Sequence, residues 1–156
     1  MTNEDLKIKI TELLATATFE EGSDPIAIGF LTIAVDAKDL LSFAQQIRDN
    51  DTLNFNYLTC LTCVDWKTHL TMVYHLRSTA EKYIVVIKAK VDRNNAAIAT
   101  VSDIWRTAEF HEREAYDLFG VQFIGHPDLR RLFLTEDYEG FPLRKDFEDP
   151  VNMIKL

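Results

Sequence analysis

Three runs rich in β-branched and apolar residues, Phe55 to Val64, Leu70 to Leu76 and Tyr83 to Val91, follow one another in the middle of the chain. Only short polar connections separate them, around Lys67-Thr68 and Ser78-Thr79. Runs of this kind joined this tightly favour an antiparallel meander. A meander has an apolar face to cover, so the segments on either side are constrained by what they can lay on it.

Upstream, Leu6, Ile10, Leu13 and Leu14 recur at helical spacing between Asn3 and Leu14, with Asn3 as the N-cap. Gly22-Ser23-Asp24-Pro25 favours a turn, and Ile26 to Val35 reads as a strand. Asp36 is placed to cap a second helix, whose Leu40, Phe43, Ala44 and Ile47 share a face until Asp49-Asn50-Asp51 breaks the pattern. Downstream of Asp92-Arg93-Asn94-Asn95, a helical pattern runs from about Ser102 to Phe119, with Ser102 as cap and Gly120 as terminator. The order α, β, α, β, β, β, α predicts an α+β fold: a two-layer sandwich with a mixed β-sheet, helices packed on it and an extended C-terminal tail. With 156 residues, 47% of them hydrophobic, one domain is expected. It is assigned to residues 1–124. Residues 125–156 carry Pro127, Pro142 and Pro150, many charges and no period. Such a segment is ordered only against its own domain or another protein, and it reads as a docking tail.

Seventeen Lys and Arg against 25 Asp and Glu give a net charge of -8, which argues against a nucleic-acid partner. No apolar stretch approaches the roughly 20 residues of a spanning helix, and the polar start is unlike a signal peptide. Membrane contact is therefore expected only through partners. Cys60 and Cys63 form a lone C-x-x-C. On an extended strand their side chains turn to opposite faces, roughly 10 Å apart, and no second pair completes a metal or cluster site. His69, His75, His111 and His126 show no ligand spacing, and neither a P-loop nor G-x-G-x-x-G occurs.

The informative stretch is His111 to Gly120. Taking Trp105 as reference, Ala108, Glu109, Glu112, Ala115, Tyr116 and Phe119 fall on its face, which sets Glu112 in an apolar stripe where an unpaired carboxylate is costly. Arg113, with Glu109 and Asp117 four residues to either side, suggests a charged ladder on a solvated face. The pattern Glu112-Arg113-Glu114 through Asp117-Leu118-Phe119, then His126 and Arg130-Arg131-Leu132-Phe133, resembles the signature of the 30 kDa (C-type) subunit family of respiratory NADH dehydrogenase, complex I. Glu139-Gly140-Phe141-Pro142-Leu143-Arg144-Lys145-Asp146-Phe147 is similar to that family's closing segment, with Phe141 where histidine is frequent and Glu148 where proline is common.

The resemblance implies a hydrophilic structural component of the proton-translocating NADH:quinone oxidoreductase. It would pack on the large quinone-site subunit (49 kDa type, D) and neighbouring iron–sulfur subunits, in the peripheral arm on the cytoplasmic side of the membrane. It implies no catalytic centre, metal or cofactor in this chain; NADH, FMN, iron–sulfur clusters and quinone would belong to other subunits. It marks Glu112, Arg113, Glu114, Asp117, His126, Arg130, Arg131, Pro142, Arg144, Lys145 and Asp146 as signature and partner-docking residues, with Leu132, Phe133, Leu143 and Phe147 as apolar anchors. Open beside it stand the equivalent scaffold of a membrane-bound [NiFe] hydrogenase or formate hydrogenlyase, and a soluble adaptor unrelated to respiration. A freestanding metal-dependent hydrolase using His111, Glu114 and Asp117 is the alternative from another class.

Overall fold

The computed structural model describes residues 2–20 and 30–153. The meander forms as read: β3 (Tyr57–Asp65), β4 (His69–Arg77) and β5 (Ile84–Asp92) pair antiparallel in sequence order. On the far side of β5 lies β2 (Leu31–Asp36), parallel to it, followed by the antiparallel β1 (Thr18–Glu20). The sheet order β1-β2-β5-β4-β3 is therefore mixed, and β3 is an outer strand. The predicted strand Ile26–Val35 is present from Leu31 onward. Its first part and the turn at Gly22–Pro25 fall outside the described residues.

Helix α1 (Asn3–Leu13) buries Leu6 and Ile10, and α2 (Leu40–Asp49) buries Leu40, Phe43, Ala44 and Ile47, the four residues its periodicity selects. Their caps differ from expectation. Thr2, not Asn3, caps α1, in a reciprocal box with Asp5. Asp36 ends β2 instead of capping α2, because three more residues turn before that helix begins. The core joins Ile10, Phe43 and Ile47 to the inner residues of the sheet, among them Ile33, Tyr74 and Ile87 in register across three strands.

The third helix is shorter than its periodicity suggested. Helix α3 spans Ala108–Phe119, and Ser102 does not cap it. The Ser102 N–H donates to the Thr100 hydroxyl, Ile104 and Trp105 N–H both turn back to Val101 O, and the Trp105 indole donates to Phe55 O. That turn places Trp105 in the core before the helix starts. Gly120 ends α3 at φ 76, the left-handed conformation that favours glycine. Two three-residue strands flank α3, β6 (Ala97–Ala99) and β7 (Gln122–Ile124), paired parallel. Helix α3 is thus the crossover of a small β-α-β unit laid against the outer strand β3.

Candidate functional site: a helix that holds its own tail

Helix α3 buries Glu112, Arg113 and Asp117 and leaves Phe110 58% exposed. The solvated face expected from its charges is absent, and each buried charge has a polar partner.

Glu112, inside the apolar stripe as read, ties the helix to the ends of β6 and β7. Its Oε1 accepts the Val101 N–H at 2.8 Å, and its Oε2 lies 2.5 Å from the Thr100 hydroxyl. His126, just past β7, brings Nε2 to 3.8 Å from Oε2. The His126 Nδ1 accepts the Asp128 N–H at 3.0 Å, so Nε2 carries the proton and donates to Glu109 O at 2.9 Å. Among the described residues no cation neutralises Glu112. Burial pushes its carboxyl up to about 7, with the Thr100 and Val101 hydrogen bonds opposing and Asp103 adding to the rise.

Asp117 is used differently. Its Oδ2 accepts the N–H groups of Leu132, Phe133 and Leu134 at 3.2, 2.7 and 3.1 Å, and Arg131 donates to Oδ1 at 3.0 Å. Burial alone would raise this carboxyl, but the four donors hold it below the usual carboxylate range. The predicted ladder does not form. Arg113 instead donates to Arg130 O and Arg131 O, turning from Glu109 and Asp117 to carbonyls of the tail. A guanidinium presents several donors in one plane, and here two of them meet consecutive carbonyls.

The closing segment is fastened the same way. Arg144 donates to Phe119 O at 2.6 Å and to Arg93 O at 3.0 Å, and Arg131 reaches Tyr138 O and Gly140 O. Phe141 lies between these two guanidiniums, each 5.4 Å from its ring centroid. Its ring rests on Gly120, where a Cβ would come within 2.6 Å of it. Pro142 is half-buried beside it, and Leu143 N–H donates to Leu118 O. At the end of β3, buried Asp65 takes a two-point contact from Arg93 at 2.9 and 2.8 Å, plus the N–H groups of Lys67 and Lys145. Arg93 makes a second two-point contact with Asp146. The Arg93 hydrogen bonds hold Asp65 well below the usual carboxylate range.

The structure therefore engages Glu112 with His126, Arg113 and Asp117 with Arg131, and Arg144 and Asp146 with Arg93. Lys145 places its ammonium 5.8 Å from the ring of Trp66, and Arg130 stays on the surface paired with Asp128. Sequence reasoning missed Asp65, Arg93 and Thr100. Asp65 had a signal, since it continues the inward parity of Leu61 and Cys63. Cys60 is half-buried and Cys63 buried, both as free thiols, and burial pushes Cys63 up to about 12. Among the described residues no three His, Cys, Asp or Glu side chains are grouped to hold a metal ion.

The mixed sheet with its β-α-β unit laid on the outer strand is a fold shared with a chain of an archaeal respiratory membrane complex. The chain superposes, at TM-score 0.78 and 28% identity, on a chain of the membrane-bound sulfane sulfur reductase, an archaeal respiratory membrane complex, covering 94% of this chain and 85% of that one. It also superposes on the trypsin-resistant fragment of Nqo5, at TM-score 0.66 and 26% identity, covering 83% of this chain and 100% of the fragment. The protein belongs to the respiratory-chain NADH dehydrogenase 30 kDa subunit family, whose model matches residues 33–151. It is 48% identical over 105 residues to the C subunit of NADH-quinone oxidoreductase from Chlorobium phaeobacteroides, covering 65% of this chain and 63% of the relative. It is 40% identical over 126 residues to the C/D subunit of the same enzyme from Phocaeicola vulgatus, covering 80% of this chain and 24% of that longer relative. A C subunit from Rhizobium meliloti is 40% identical over 124 residues, with 78% of this chain and 68% of the relative covered. The chain thus spans less than two thirds of the first two of these relatives.

Proposed function

We propose that this chain is the structural C-type subunit of a proton-translocating NADH:quinone oxidoreductase, holding the large D-type quinone-site subunit in the peripheral arm. The observation that carries the reading is the family match over residues 33–151. The Phocaeicola relative, whose name joins C and D, supports the choice of partner. In this reading the complex performs electron transfer from NADH to quinone, and this chain contributes no catalytic group, metal or cofactor. Its task is mechanical. Asp117, Arg131, Arg144 and the Asp65–Arg93–Asp146 set hold residues 131–146 against the body, and the tail then presents Arg130, Phe133 and Leu143 to neighbours. None of the described helices is long and apolar enough to cross a membrane. Attachment on the cytoplasmic side would come through the complex.

The 0.78 superposition on the archaeal respiratory membrane complex supports a second reading, a scaffold in a related complex that does not oxidise NADH. Companions recovered from gently solubilised membranes separate the two: flavin- and NADH-binding subunits indicate the first, hydrogenase-like subunits without them the second. Arg144→Ala is expected to lower the yield of assembled complex far more than turnover per assembled complex. Full yield with lost turnover would refute the scaffold role.

A further inference from the structure

Two groups beside Glu112 can each be satisfied in two ways. The Thr100 hydroxyl lies 2.5 Å from Glu112 Oε2 and 2.8 Å from Ser102 Oγ, and it accepts the Ser102 N–H. A hydroxyl donates once. With Glu112 protonated, donation runs from Glu112 to Thr100 to Ser102; with Glu112 ionised, it runs from Ser102 to Thr100 to Glu112. Thr100 keeps its partners in both directions.

The second group is the His126 Nε2–H. It donates to Glu109 O at 2.9 Å, while Glu112 Oε2 stands 3.8 Å from the same nitrogen. Both side chains are fully buried, so water does not weaken the competition between the two acceptors. A carboxylate attracts an N–H more strongly than a carbonyl does, and a neutral carboxyl has no such advantage. The ring is also tied to the tail, because Nδ1 accepts the Asp128 N–H.

The other titratable groups around this pair do not answer a charge on Glu112 with a cation. Asp103, in the turn before α3, opposes ionisation. From β4 comes Tyr74, whose hydroxyl is buried without a hydrogen-bond partner, and from β3 the Cys63 thiol; both are neutral near pH 7. The short strands β6 and β7 bring no titratable side chain. On α3 itself, Arg113 is engaged with tail carbonyls, and half-buried Glu114 lines a cavity with Leu61, Phe119 and Leu143. Asp128, beside His126, is paired with Arg130 at the surface.

We propose that Glu112 and His126 form a pH-driven switch at the junction of body and tail: when Glu112 loses its proton, the His126 Nε2–H passes from Glu109 O to Glu112 Oε2, the Thr100–Ser102 chain reverses, and the turn at Asp128 follows the imidazole. The released proton goes to water, and the imidazole keeps one proton throughout. The start of the tail thereby takes one of two settings according to the charge on a buried carboxyl.

The test is an NMR pH titration of the full chain, labelled at the histidine ring and backbone nitrogens. As Glu112 ionises, at about pH 7, the His126 Nε2–H and Asp128 amide signals are expected to shift with one shared midpoint while Nδ1 stays unprotonated. Glu112→Gln should hold both signals constant. Thr100→Val takes a donor from the ionised carboxylate, so Glu112 should bind its proton several-fold more tightly, and the His126 and Asp128 midpoints should move with it. A second proton on His126 in this range, flat His126 and Asp128 signals in the wild type, signals that still titrate in Glu112→Gln, or midpoints left in place by Thr100→Val would overturn the proposal.

Discussion

Replacing Glu112 by glutamine should abolish a pH dependence that the wild-type fold carries in an uncommon direction. The carboxyl rises from an ordinary 4.5 to about 7 in the folded protein, because it is buried without a counter-cation. Between those values the unfolded chain has released its proton while the folded chain keeps it, so the unfolded state binds fewer protons and stability falls as pH rises. The contribution is complete below 4.5 and gone above about 7. At about 1.4 kcal/mol for each tenfold, the difference amounts to about 3 kcal/mol. For a domain of this size that corresponds to a melting temperature lower by roughly 6–12 °C at pH 7.5 than at pH 4.5. Glutamine keeps an oxygen for the Val101 N–H and offers an N–H to Thr100, with no proton to lose. Asp65 and Asp117 do not confuse the result. Both carboxyls are depressed, so their contributions are lost only as pH falls below about 3.8. The assay is urea denaturation of the isolated chain and of Glu112→Gln at several pH values from 4.5 to 7.5. If the two proteins lose stability in parallel, Glu112 is ionised and compensated in the fold, and the reasoning is wrong.

Asp117→Ala removes the acceptor for three backbone N–H groups and Arg131. It should cost about 3–5 kcal/mol and open residues 128–141 to limited proteolysis. Arg93→Ala leaves buried Asp65 without its guanidinium and frees Asp146. A loss of about 3–5 kcal/mol in chemical denaturation is expected, with Arg93→Lys intermediate because an ammonium cannot make both two-point contacts. Gly120→Ala both strains the left-handed residue and drives a Cβ into the Phe141 ring. About 2–3 kcal/mol should be lost, and Phe141→Ala in the same chain should recover the part due to the ring, giving a measurable coupling.

The meander and the two amphipathic helices were legible because long periodic segments report the face they bury. Residues 18–20, 97–99 and 122–124 were missed because a three-residue strand has no period to detect. The false start at Ser102 has a related cause: Trp105 repeats at helical spacing with Ala108, yet it is buried by a turn anchored through Phe55 O. Burial of Glu112 could be read from its stripe. The partners of Arg113 could not, because an i, i+4 carboxylate and a distant carbonyl look alike until the tail is placed. Strand parity marks Asp65 as inward-facing, but its pairing with Arg93 stayed invisible for the same reason, since 28 residues separate them and their third partner lies 53 residues beyond Arg93. The tail's lack of period said only that it needed something to lie on. Arg131, Arg144 and Phe141 find that support on α3 and its Gly120 cap, and Lys145 and Asp146 find it at Asp65 and Arg93, by the ends of β3 and β5.

The donors to the Asp117 carboxylate all come later in the chain, from residues 131–134. During synthesis the helix is therefore made before the groups that neutralise its own interior charge. A nascent chain halted just after Gly120 would hold all five strands of the main sheet and an α3 whose final turn still lacks its clasp. Vectorial synthesis thus sets an order, with the body gathered first and its last helical turn settled only when the downstream segment arrives.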